Sequence, residues 1–188
     1  MSKNSDYKTV KSFGKEWNRF NHSNVSEKEF NNIFTNYFKL YPIENLKKNY
    51  EIFDMGCGTG RWAIKLAPLV KKLNCIDPSE SIEVAKKNLE RFDNVEFYKN
   101  TADVKCLKEM SQDFGYSLGV LHHIPDTERA LKSCVYYLKK GSPFLLYIYY
   151  NFDNKPIWYR LIWKLSSLFR YIICRMPSYL KMFQVIDL

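Results

Sequence analysis

Three glycines at alternate positions, Gly56, Gly58 and Gly60, follow the short run Tyr50–Met55 and open directly onto Arg61 and Trp62. Glycine is what a backbone needs where it must turn sharply and pass close to a ligand, because a Cβ obstructs both. A helix beginning at once behind such a turn offers its unpaired N–H groups. Strand, glycine turn and helix in this order read as the nucleotide-binding turn of a doubly wound α/β domain. A dinucleotide fingerprint requires a third glycine at position 61, where this chain has Arg61; its third glycine, Gly60, stands one place early. Asp77 follows Gly60 by seventeen residues, an interval that suits a carboxylate accepting hydrogen bonds from both ribose hydroxyls. A cap at the N-terminus of the next helix is the structural alternative, but its occurrence at this interval after the glycine loop favours ligand binding. Cys57 sits between two loop glycines, where a small side chain is a simpler requirement than a nucleophile. His122 and His123 are adjacent. They are poor metal ligands, since no further set converges on them in sequence. Imidazole titrates near neutral pH, so either could serve as a general base, and either could simply hold its loop.

These residues need elements to place them. Ser26-Glu27-Lys28-Glu29 is a capping box, and Phe30, Ile33, Phe34, Tyr37 and Phe38 form an apolar helical stripe behind it. Tyr41-Pro42 stops that helix. The stripe suits packing; Trp17 and Phe20, upstream, are the better candidates for a lid. Strands are expected at Tyr50–Asp54, Leu73–Asp77, Asn94–Tyr98 and Phe144–Tyr149, and the stretch Asp113–Asp126 reads as a further strand, then a turn, then a helix start. Helices are expected from Trp62 to about Val70, after Pro78-Ser79, and after an Asp126 or Thr127 cap up to Gly141. From Pro156 to about Met176 a last helical pattern carries Arg160, Lys164, Ser167, Arg170 and Arg175 on one side. Apolar residues from Ile157 to Ile173 fill the remainder. Such a basic amphipathic helix suits a docked helix, a second copy or a membrane surface.

The string D-x-G-x-G-x-G at Asp54–Gly60 resembles motif I of the class I S-adenosylmethionine-dependent methyltransferases. Ser117-Leu118-Gly119-Val120-Leu121-His122-His123-Ile124-Pro125-Asp126 resembles the motif after strand four in their small-molecule members. Phe13-Gly14 followed by Trp17 is similar to the leader of some bacterial members. The resemblance covers residues from about 50 to 150. It implies an α/β, doubly wound, Rossmann-like three-layer sandwich with a mostly parallel sheet of order 3-2-1-4-5. It implies S-adenosyl-L-methionine as cofactor, S-adenosyl-L-homocysteine as product, and a small-molecule acceptor whose O, N or C nucleophile attacks the methyl in line. The implied cofactor residues are Asp54, Gly56, Cys57, Gly58 and Gly60 at the methionine and ribose. Asp77 and Pro78 follow at the ribose, Ala102 and Asp103 beside the adenine, and Leu118, Gly119 and Leu121 below it. His122 and His123 are the catalytic candidates. The family's sheet commonly ends in an antiparallel hairpin, but one helical segment follows strand five here, so the hairpin is expected to be absent. That leaves a cofactor-binding protein without catalysis, a truncated subunit, or a peripheral membrane enzyme as alternatives.

Composition bounds the reading. At 188 residues and 46% hydrophobic content the chain is about one domain long with enough apolar mass for a core. We expect a helical leader or lid over 1–49, a cofactor-binding α/β domain over 50–150 and an amphipathic tail over 151–188. The net charge of +9 is uneven: residues 51–150 carry fourteen basic and thirteen acidic side chains, so the excess sits in the flanks. A nucleic-acid groove across the main domain is not expected. Five cysteines without C-x-x-C spacing argue against a disulfide framework or a zinc site and for a reducing compartment. The polar N-terminus has no apolar signal region, so a cytoplasmic protein without a membrane span is expected.

Overall fold

The computed structural model of the chain describes residues Asp6, Val10, 26–149 and 155–175. Two compact units divide it, residues 1–149 and 150–188. In the first, helix α1 (Glu27–Tyr37) precedes β1 (Glu51–Met55), α2 (Ala63–Leu66), β2 (Lys72–Ile76), α3 (Ser81–Asn88), β3 (Val95–Tyr98), β4 (Phe114–Leu118), α4 (Thr127–Tyr137) and β5 (Phe144–Tyr147). In the second, α5 spans Ile157–Arg175. All five strands are parallel, in the order β3-β2-β1-β4-β5. This is the expected doubly wound arrangement, and strand order reverses at β1.

The alternation of side chains along the strands builds a core on each face. Ile52 of β1, Leu73 and Cys75 of β2 and Phe114 and Tyr116 of β4 join Phe34, Leu66, Ile82 and Ala85 from the helices on one side. Phe53 and Met55 of β1 and Ile76 of β2 join Leu121, Ala130, Cys134 and Tyr137 on the other. Phe53 fits only because its neighbour on β4 is glycine. A Cβ on Gly115 would lie 2.2 Å from the Phe53 ring.

Ser26 caps α1 as expected, its Oγ accepting from the Glu29 N–H at 3.2 Å. Phe34 and Phe38 are buried, while Ile33 of the same stripe is exposed. Trp17 and Phe20 lie outside the described residues. Several element boundaries differ from expectation: α4, expected up to Gly141, ends at Tyr137, where Leu138 turns extended. The helix after the glycine loop is only Ala63–Leu66, continuing as a 3-10 turn over Ala67–Leu69. Pro68 is the cause, since it has no N–H and its ring crowds the carbonyl of Ile64. The helix expected from Pro78-Ser79 begins at Ser81, because Ser79 is held in a turn by Asp77. Strand β5 ends at Tyr147, and Ile148 and Tyr149 beyond it are exposed.

Candidate functional site

Loops leaving the carboxyl ends of β1, β2, β3 and β4, together with Tyr149 just past β5, surround one cavity of about 490 Å³. That is where an open α/β sheet places its ligands, beside the strand-order reversal. The volume falls within the range of small-molecule sites.

The glycine loop forms one wall, and its three glycines have different reasons for being glycine. All three have positive φ. At Gly56 a Cβ would lie 2.5 Å from the Val120 methyls, so this glycine lets the β1 and β4 loops close on each other. At Gly60 it would lie 2.7 Å from Leu89 Cδ1, so this glycine seats the loop on α3. At Gly58 nothing lies within 4 Å; a side chain there would project into open space at the cavity wall. Gly119, after β4, is open in the same way.

Asp77 holds this loop to the next one. Its Oδ2 accepts from the Gly58 N–H at 2.9 Å, and its Oδ1 accepts from the Ser79 N–H at 2.8 Å and the Ser79 hydroxyl at 2.6 Å. Burial pushes the carboxyl up, and these hydrogen bonds oppose the shift. A carboxylate has about four lone-pair positions, so one acceptor position remains for a ligand.

Of the residues expected at the cofactor, Gly56, Cys57, Gly58, Asp77, Pro78, Ala102, Leu118 and Gly119 line the cavity. Asp54, Gly60, Asp103 and Leu121 do not. Asp54 is 2% exposed beneath the loop, registered against Tyr116 on β4 and Cys75 on β2. Burial pushes its carboxyl up to about 8, with the neighbouring Tyr116 hydroxyl opposing the shift. Asp103 turns aside to accept from Thr101 Oγ1 at 2.7 Å and to pair with Arg129 at 3.3 Å. Leu121 is fully buried in the core that packs α4. Cys57 lines the wall, but hydrogen bonding to Cys75, together with burial, holds its thiol well above the ordinary value. A raised thiol pKa is the opposite of what an activated nucleophile needs.

The histidines also separate. His123 lines the cavity and His122 does not. The two rings lie 4.0 Å apart, and His122 packs 4.3 Å from the Tyr149 ring. Burial lowers both pKa values, and for His122 the proximity of His123 adds to it. Neither ring nitrogen of His122 has a hydrogen-bond partner among the described residues. Asp126, expected as a cap, accepts from the Arg129 N–H at 2.9 Å.

The cavity also holds side chains that sequence reasoning missed. Tyr37 reaches it from α1, 5.1 Å from the Trp62 ring. Arg61 lies 4.2 Å over that same indole and is partly desolvated, which lowers its pKa, against the raising influence of Tyr37, Asp54 and Tyr149. Asp6 and Val10 line the cavity from the N-terminal segment, joined by the Val10 N–H donating to the Asp6 carbonyl at 2.9 Å. Thr59, Ser79 and Thr101 complete the polar part. Arg61, Thr59 and Ser79 adjoin residues already singled out, so motif adjacency was a usable signal. Tyr37 and Tyr149 are brought in only by folding.

Residues 53–146, half of the chain, match the family model described as a methyltransferase domain. The ubiquinone biosynthesis O-methyltransferase of Coxiella burnetii is 31% identical over 98 residues, covering 50% of this chain and 42% of that protein. The ribosomal protein L11 methyltransferase of Ruminiclostridium cellulolyticum is 35% identical over 104 residues, covering 53% and 32%. The chain thus spans less than half the length of these curated relatives. Among solved structures, a Methanococcus maripaludis protein assigned to the S-adenosyl-L-methionine-dependent methyltransferases superposes with a TM-score of 0.61. It is 17% identical, over 91% of this chain and 84% of that one, and shows a shared fold. On the match over residues 53–146, the chain belongs to the methyltransferase domain family, that of the class I S-adenosylmethionine-dependent methyltransferases.

Proposed function

We propose that the chain binds S-adenosyl-L-methionine in this cavity and methylates a small-molecule acceptor in the cytoplasm. The observation that carries the reading is the pairing of Gly58 with Asp77. One leaves open space where any Cβ would stand, and the other is a carboxylate fixed beside it by three donated hydrogen bonds with an acceptor position unused. Bound there, S-adenosyl-L-methionine supplies a methyl group already activated on a sulfonium.

The chain's own residues then have distinct tasks. Gly56, Cys57 and Gly58 face the amino acid portion and ribose, and Asp77 accepts from a ribose hydroxyl at its unused acceptor position. Pro78, Ala102 and Leu118 supply apolar surface to the adenine. Asp103 acts indirectly, by fixing the turn that carries Ala102. Arg61, 4.2 Å over the Trp62 ring, brings a guanidinium to the wall that suits the cofactor's carboxylate. Gly60 and Leu121 support the loops from behind. His123 is the candidate base for an acceptor hydroxyl, its neutral form favoured by burial. His122 and Tyr149 brace it. Kinship with the ubiquinone biosynthesis O-methyltransferases supports an oxygen nucleophile.

The test is transfer of a radiolabelled methyl group from S-adenosyl-L-methionine to a panel of hydroxylated aromatic and aliphatic acceptors by the purified chain. Label in the extracted acceptor, reduced in His123→Ala, supports the proposal. Label in no acceptor, with cofactor binding intact, favours a cofactor-binding protein without catalysis.

A further inference from the structure

Helix α5 belongs to the second unit. Its 19 residues carry four basic side chains and no acidic one. At about 100° per residue, nine apolar residues from Ile157 to Ile173 fall by sequence position within one arc of about 160°, and the four basic residues lie outside it or at its edge. Ile157, Trp158, Leu161, Ile162 and Leu165 on that arc are all more than half exposed. Five exposed large apolar side chains on one arc are more than a water-facing helix ordinarily carries. No described helix is long and apolar enough to cross a membrane.

We propose that α5 lies in the plane of an anionic lipid surface, with the Ile157–Ile173 face in the acyl boundary and the basic residues at the headgroups. Three observations choose this occupant. The first is charge: a helix with four cations and no anion complements an anionic bilayer. A two-fold contact with a second copy brings the same cations together with no carboxylate on the helix to pair them. The second is composition. Trp158, Tyr159, Trp163 and Tyr171 are the ring types that settle at the membrane–water boundary, where one end is apolar and the other wet. The third is the combination of a strongly amphipathic pattern with insufficient apolar length to span, which distinguishes a helix lying on a membrane from one crossing it.

The experiment is cosedimentation of the full chain with vesicles of phosphatidylcholine alone and of phosphatidylcholine with phosphatidylglycerol. It is run at low salt and again at about 1 M salt, where the screening length falls to roughly 3 Å. Two variants accompany it: Leu161→Gln with Leu165→Gln on the apolar arc, and Arg160→Glu with Lys164→Glu on the basic side. Both use good helix formers, and circular dichroism verifies that helix content is kept. The proposal expects binding to the anionic vesicles that weakens with salt. It expects at least about a tenfold loss in the leucine variant, and loss of the anionic preference in the charge variant. It is overturned by absence of binding to either vesicle, or by binding that neither variant changes. It is equally overturned if, without vesicles, the chain forms a dimer that the leucine variant dissociates.

Discussion

Gly58 and Gly60 stand two positions apart and answer to different neighbours. Gly58→Ala adds a methyl group facing open space at the cavity wall, at a backbone φ of +53°. It should cost about 1–2 kcal/mol of stability from backbone strain while weakening cofactor binding more than that loss explains. Gly60→Ala drives a methyl group toward Leu89 and Ala85, so it should destabilise by a further 1–3 kcal/mol or so through overpacking. Urea denaturation beside a binding titration separates the two. Asp54 gives a pH signature. Its carboxyl is raised from 3.8 to about 8 by burial, so the folded chain keeps a proton that the unfolded chain releases. Its contribution is fully present below pH 3.8 and lost as pH rises through about 8, with a slope approaching about 1.4 kcal/mol per pH unit. Asp54→Asn should flatten that slope in denaturation curves taken from pH 5 to 8; an unchanged slope would show that Asp54 is ionised. The histidines go the other way. Their lowered pKa values keep the free base present below the ordinary 6.5, so methyl transfer dependent on His123 should stay level from pH 8 to 6.5 and fall only below that. The glycines and Asp77 were legible from sequence because positive φ and a loop carboxylate each leave a residue-type signature. The burial of Asp54 was not, because an acid before a glycine loop reads the same whether it faces a ligand or the core.

At the scale of elements, the cavity depends on how closely β1 and β4 approach. Gly115 permits the Phe53 ring to lie over β4, and Gly56 permits Val120 to close the loops above it. Gly115→Ala should therefore destabilise by about 1–3 kcal/mol, and Phe53→Leu introduced beside it should recover part of that loss. Additive losses in the double mutant would disprove the contact as the cause. The order of strands and helices was readable from periodicity and caps, as Ser26 and Asp126 illustrate. The length of α2 was readable too, had Pro68 been weighed above the apolar pattern around it. The arrival of Tyr37 and Tyr149 at one cavity was not readable, since they stand on α1 and past β5 and only the sheet brings them together.

For the molecule as a whole, the near-neutral stretch 51–150 contains the sheet and most of the cavity wall, while the basic excess lies in the flanks. Among the described residues Cys57, Cys75, Cys106 and Cys134 are free thiols. The central claim is that the glycine loop and Asp77 together form a cofactor site. Calorimetric titration of the full chain with S-adenosyl-L-homocysteine, alongside Asp77→Ala, tests it most directly. The account predicts one-to-one binding by the natural chain and at least about a tenfold loss in the variant, from the missing charged acceptor and the released loop. A folded chain that binds no S-adenosyl-L-homocysteine, or a variant that binds it equally well, would contradict it.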